Sequence, residues 1–261
     1  WSATSLSRMG SAMVVPLFLT AASLVLFVIG GMSELGALFA YGIVLLAGWV
    51  AIYETYRAIA ARHHAHGESY FYAFRTILAR NPRRYGGYLI HLGVTIIGLG
   101  VIGSTLYQQE TQRTLSVGES VEIGGYTLRY DSFDGGQIAE DGRIMDIANV
   151  TLLRNGQELA QMRPRRDFFP NARDMNSMTI AGAHSTVEND FYVLLVNWET
   201  INANSATFKI YINPLINLIW WGSLVLIAGT LLAIFPREVL PKRVRDEASK
   251  PVSGKLAHKG V

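Results

Sequence analysis

The chain has 261 residues, half of them hydrophobic and only 16% charged, with a formal net charge of +3. That balance excludes an ordinary soluble domain, and the lack of any cysteine excludes a disulfide or a thiol relay of the chain's own. The basic residues collect beside apolar windows, a pattern of membrane flanks that does not indicate nucleic acid.

Four windows, at about 12–31, 36–56, 86–106 and 212–235, are long and apolar enough to cross a bilayer as helices. The chain starts at Trp1 without an initiator Met and reads as a fragment or a processed product. The stretch 1–60 holds the first two helices, with Pro16 near the start of the first and Gly30, Gly31 and Gly36 in the bend between them. Trp49, Tyr53 and Tyr56 close the second helix as an interfacial aromatic belt would. The stretch 61–85 is expected to be a cytoplasmic loop. Within it, Tyr70, Phe71, Phe74, Ile77 and Leu78 recur near helical spacing and predict a short surface helix ended by Asn81-Pro82.

The third span, 86–106, carries one ionisable side chain, His91. An imidazole at membrane depth faces other helices or a cofactor. Gly87, Thr95 and Gly98 share its helix face, which predicts a shallow notch for something flat. Two readings stay open: a core histidine bonded to a neighbouring helix, or an axial ligand to the iron of a haem b. The chain has no second intramembrane histidine, so a bis-histidine site would need a helix from elsewhere.

The stretch 107–212 reads as a small all-β domain, barrel or sandwich, of about six strands. Its strongest signals are hairpins at Gly124-Gly125 and Asn155-Gly156, the strand FYVLLVNW and the alternating ATFKIYI. Asn213-Pro214 turns into a fourth helix, 213–235, whose Trp220 and Trp221 lie deeper than a normal belt. A tail, 236–261, follows.

Charge sets the expected orientation. Residues 57–84 hold six Arg and one acid, and the tail holds seven Lys or Arg against three acids. Residues 107–212 hold nine basic against fourteen acidic residues. The positive-inside rule places the first two regions in the cytoplasm and exports the β domain. The fold class is thus an integral membrane α-helical protein of about four spans with an exported β domain.

Other constellations read more blandly. His63, His64 and His66, with only Glu68 near, form a solvated face before a metal site, and His184 and His258 are isolated. Arg163, Arg165 and Arg166 are expected to pair with Asp167 and Asp174 on the surface. The alternative is docking of an anionic group such as a carboxylate or haem propionate.

At RRYGGYLIHLGVTIIGLGVIGS, LSVGESVEIGGYTLRYDSF, DFYVLL and IYINPLINLIWWGSLVLIAGTLLAIFPR, the sequence resembles the haem lyase subunit of the bacterial cytochrome c maturation system, the CcmF family. The resemblance implies attachment of haem to apocytochrome c on the outer face of the bacterial inner membrane, and a transmembrane haem b. It makes His91 one axial ligand of that haem, with Arg83 and Arg84 near enough to the span's end to meet propionates. The implied partners are apocytochrome c, a haem chaperone, other maturation subunits and the N-terminal remainder of the same protein. The family's tryptophan-rich segment, exported-side histidines and other haem b ligand have no counterpart here, so no catalytic residue is assigned. The competing reading is a cofactor-free membrane scaffold or docking subunit of a cytochrome assembly complex.

Overall fold

The structure, a computed structural model, describes residues 6–169, 177–198 and 204–234. Among these, the helices are α1 (Leu6–Ile29), α2 (Leu35–His66), α3 (Tyr70–Arg80), α4 (Pro82–Leu106) and α5 (Asn217–Ile234). All but α3 are long and apolar enough to cross a membrane. α1 tolerates Pro16 in its first half, and the Trp49 indole of α2 donates to Ser23 Oγ at 3.2 Å, tying α2 to α1.

α2 is longer than its apolar window. Good helix formers carry it to His66, where Gly67 in the left-handed region caps it and sends its N–H to the His63 carbonyl. Arg62 then closes on Glu68 through two 2.7 Å bonds. The expected loop over 61–85 is therefore mostly helix. Ser69 caps α3 by accepting from the Tyr72 N–H, and Asn81 ends α3 while Pro82 opens α4 at the position where a missing N–H costs nothing.

α4 and α5 approach backbone to backbone. Gly86, Gly93 and Gly100 of α4, and Gly222 and Gly229 of α5, each recur at seven residues, about two turns, and so share one face of their helix. A Cβ added at Gly93 would lie 2.6 Å from the Leu226 nitrogen and 2.8 Å from the Gly222 carbonyl oxygen. One added at Gly229 would lie 2.7 Å from the Ile90 nitrogen. Lipid offers no hydrophobic drive between helices, so such close packing of small residues is what holds the pair. On its other side α4 meets α2, where Thr95 fits over Gly48 and Gly98 faces Val44.

Among the described residues ten strands form two facing sheets: β1 (Gln109–Ser116), β2 (Ser120–Ile123), β3 (Tyr126–Ile138), β4 (Ile144–Arg154), β5 (Gln157–Met162), β6 (Arg165–Phe168), β7 (Ser177–Ile180), β8 (Gly182–Ser185), β9 (Asn189–Trp198) and β10 (Ser205–Pro214). One sheet runs β1-β10-β9-β8 and the other β2-β3-β4-β6-β7, with β5 also on β4. The domain is thus a sandwich. Alternate residues of β3 and β4 (Leu128, Tyr130, Val150, Leu152) meet those of β9 and β10 (Val193, Leu195, Phe208, Ile210) in its core. Tyr130 packs edge-on to Phe208, and burial pushes its phenol up to about 12. Both expected hairpins form two-residue turns with positive φ at each position, 55° and 79° at Gly124-Gly125, 53° and 78° at Asn155-Gly156.

The sandwich sits on the α4–α5 pair through two joints. β1 follows α4 after two residues, β10 precedes α5 by two, and β1 pairs with β10 from Gln109↔Ile212 outward. β10 extends through Ile212 to Pro214, so α5 starts at Asn217 and not within the apolar run that begins at residue 212. Trp220 and Trp221 are consequently the fourth and fifth residues of α5, both exposed and near the end that joins the sandwich. Gln108 donates to Asn213 Oδ1 at 2.6 Å, and Asn217 donates to the buried Asp190 at 2.8 Å. Tyr192 donates to the other Asp190 oxygen, and burial, then that carboxylate, push its phenol up.

Gly93→Ala should destabilise the protein in detergent by about 1–3 kcal/mol, because the added methyl meets backbone that cannot move aside. Gly87→Ala, where a Cβ meets nothing within 4 Å, should be neutral or slightly stabilising. Thermal unfolding of the two variants checks the contrast; equal midpoints would mean the seam is not closed.

Candidate functional site

His91 lies on α4 one turn before Thr95, with its side chain exposed on the outside of the helix cluster. The Thr95 hydroxyl donates to the His91 carbonyl at 2.9 Å and lies 3.4 Å from the Val44 carbonyl of α2. Among the described residues the imidazole makes no hydrogen bond, which departs from the reading of a histidine satisfied by a neighbouring helix. It lines a groove of about 450 Å³ with Met13 of α1, Ile43, Ala47 and Val50 of α2, and Tyr88 of α4. The walls are aliphatic apart from one phenol and one thioether.

The notch expected over Gly87, Thr95 and Gly98 is half filled. Thr95 and Gly98 are pressed against Gly48 and Val44 of α2, leaving open only the Gly87 side. The space beside His91 is instead made by α1 and α2. Tyr88, three residues before His91, was within reach of helical periodicity; Met13 was not, since only the packing of α1 brings it there. Tyr88 accepts from Arg84 Nε at 3.3 Å, and Arg84 lies 3.6 Å from Glu54 of α2. Arg83 is exposed and has no ion pair among the described residues.

The groove fits an edge of a haem: a free imidazole, apolar walls and small residues at Ala47 and Ala51. His91 would hold the iron there, with the apolar walls against the ring edge.

The other candidates stay apart from this groove. His63 stacks on Tyr70 at 4.2 Å and turns Nδ1 to the Glu68 carbonyl, while His66 faces the Arg62 carbonyl, so both serve the end of α2. No group of three or more His, Cys, Asp or Glu among the described residues could hold a metal ion. His184 is half-buried on β8 beside Phe191. His258 and Asp174 lie outside the described residues.

The basic cluster divides three ways. Arg165 Nε donates to Asp167 at 2.9 Å; that carboxylate is fully buried, not on the surface, and takes a second ion pair from Arg143 at 3.2 Å. The Arg143 contact is close but poorly aligned as a hydrogen bond. Arg163 pairs with Asp134 at 3.6 Å, and Arg166 bonds Ser177 Oγ and the Val196 carbonyl, with no acid among the described residues. Arg143, distant in sequence from the cluster, carried no signal of this role.

A β-sandwich carried between two helices long enough and apolar enough to cross a membrane defines the class as a membrane-anchored β domain. Residues 106–214 match the family described as CcmF C-terminal beta-sandwich. The chain corresponds to the C-terminal part of the CcmF family. It is 30% identical over 207 residues to the cytochrome c-type biogenesis protein CcmF of Haemophilus influenzae, covering 78% of this chain and 29% of that protein. It is 29% identical over 166 residues to CcmF of Pseudomonas aeruginosa, covering 62% and 24%, and 29% identical over 146 residues to the probable cytochrome c-type biogenesis protein NrfE of Escherichia coli, covering 55% and 25%. A solved structure described as cytochrome c heme lyase CcmF has the same fold, with a TM-score of 0.66 at 21% identity over 90% of this chain and 36% of that one. The chain thus spans about a quarter of the length of the curated relatives it matches.

Arg165→Gln leaves Asp167 buried with one imperfect partner and should cost about 1.5–3 kcal/mol of stability. Arg163→Gln removes an exposed 3.6 Å pair and should change stability by less than about 0.5 kcal/mol. Urea unfolding of the two purified variants separates these roles.

Proposed function

We propose that this chain is the C-terminal part of a haem lyase of cytochrome c-type biogenesis, and that His91 is one axial ligand of a transmembrane haem b. The observation that carries the reading is the unbonded His91 imidazole on an apolar groove of a membrane-spanning helix. An imidazole left without a partner at that depth is costly unless something takes its lone pair. Haem b, when bound, supplies a one-electron redox couple. This chain's residues do the rest: His91 presents an unbonded ring nitrogen, and the Thr95 hydroxyl braces the helix at the His91 carbonyl. Met13, Ile43 and Val50 give the groove beside the imidazole its apolar wall.

The orientation of the chain assigns the two ends of α4. The Arg-rich stretch 57–84 lies at its N-terminal end and the sandwich follows its C-terminal end. With positive charge retained inside, the sandwich is periplasmic, and His91 sits nearer the cytoplasm than the face on which haem is attached. That depth suits storage or relay of an electron better than bond formation. The sandwich is the surface offered to apocytochrome c, the haem chaperone and other maturation subunits, while the open side of the His91 groove is left to the N-terminal remainder of the protein and its second ligand.

His91→Ala in the full-length protein should lower the b-type absorbance, with recovery on adding imidazole. A stably produced His91→Ala protein with a full, unshifted haem spectrum would leave the chain as a scaffold. Reporter fusions at Gly156 should be exported, and those at Gly67 and after Lys250 cytoplasmic; a cytoplasmic signal at Gly156 reverses the orientation.

A further inference from the structure

A second groove, of about 320 Å³, runs between α2, α3 and α4. Ile52 and Ile59 of α2, Phe74 and Leu78 of α3, and Leu89 and Leu92 of α4 line it, together with the rings of Tyr85 and Tyr88. Its one aliphatic hydroxyl, on Thr55, is turned back to the Ala51 carbonyl at 2.8 Å, so the only polar atoms left on the wall are the phenol oxygens of Tyr56, Tyr85 and Tyr88. The volume sits at the small end of ligand cavities, roughly 300–1,000 Å³, and suits part of one hydrocarbon chain.

The rim is charged. The Arg84 guanidinium lies 5.7 Å from the centre of the Tyr88 ring and 6.0 Å from that of Tyr85, the two aromatic walls. Glu54 pairs with Arg57 at 2.8 Å and with Arg84 at 3.6 Å, so two guanidinium groups share one carboxylate and one positive charge is left over. Both Arg side chains are more than half exposed. In a membrane-spanning helix pair such residues mark the headgroup level, and α3 beside them exposes Tyr70, Phe71 and Tyr72 as an interfacial helix does.

We propose that this groove binds one anionic phospholipid, an acyl chain lying along Ile52, Leu78 and Leu89 and the phosphate facing Arg57 and Arg84. The apolar lining selects the chain, and the uncompensated charge selects a net-negative headgroup over a zwitterionic one. The site lies on the other side of Tyr88 and Ala51 from the His91 groove, both residues lining the two, and requires only that α2 and α4 span the membrane.

Native mass spectrometry of the delipidated protein in detergent, given phosphatidylglycerol or phosphatidylcholine of matched chains, tests it. One phosphatidylglycerol should be retained, with an apparent affinity roughly five- to tenfold above phosphatidylcholine. Arg57→Gln with Arg84→Gln should abolish that preference, and Leu78→Trp, which fills the groove from α3, should release both lipids. If Leu78→Trp loses its helical signal, Ile52→Trp fills the same space from α2. Equal retention of the two lipids by the native protein overturns the proposal. So does undiminished phosphatidylglycerol in a folded groove-filling variant, or equal binding of glycerol phosphate alone.

Discussion

Where α4 passes α5, no side chain separates them at Gly86, Gly93 or Gly100, and the peptide groups of one helix lie against those of the other. In water such a contact would gain little, because glycine buries almost no apolar area. In lipid the comparison changes, since association there rests on close dispersion contact and not on removal of surface from water. The fit fixes rotation and height together. With α4 fixed against α5, its remaining faces are assigned: Thr95 and Gly98 toward α2, Tyr88 and His91 toward the groove that α1 completes.

The same seam explains which parts of the fold the sequence made legible. Apolar runs and Arg asymmetry are properties of single segments, so all four long helices could be read directly. The hairpins at Gly124-Gly125 and Asn155-Gly156 were legible for a similar reason: their turn chemistry is local. β1, with the run QETQRTLS, carries no apolar alternation; it is an edge strand whose place is set by its partner β10. The short β6, β7 and β8 were missed likewise. The fourth helix was started too early because Ile212 is apolar in either setting, and only its pairing with Gln109 and Phe191 makes it strand.

The candidate site was legible in part. A lone histidine in an apolar span stands out by its cost alone, whereas the groove beside it depends on α1 and α2 crossing at particular heights. Asp167 shows the converse. Its sequence neighbours suggested a surface pair, yet it is fully buried between Arg165 and Arg143, because β6 is covered once it joins β4 and β7. The charge of one segment was visible in the sequence; the dielectric around it was not.

The joints between span and sandwich are two residues each, and both are pinned. Gln108 holds Asn213, the Leu215 N–H donates to the Glu188 carbonyl at 2.8 Å, and Asn217 holds Asp190. A domain on a flexible tether samples a volume, and whatever it captures arrives at an undefined height and angle. Here the tether has no slack. Any protein seated on the sandwich would therefore be held at one height and one azimuth relative to α4 and α5, its local concentration set by geometry and not by diffusion of a linker.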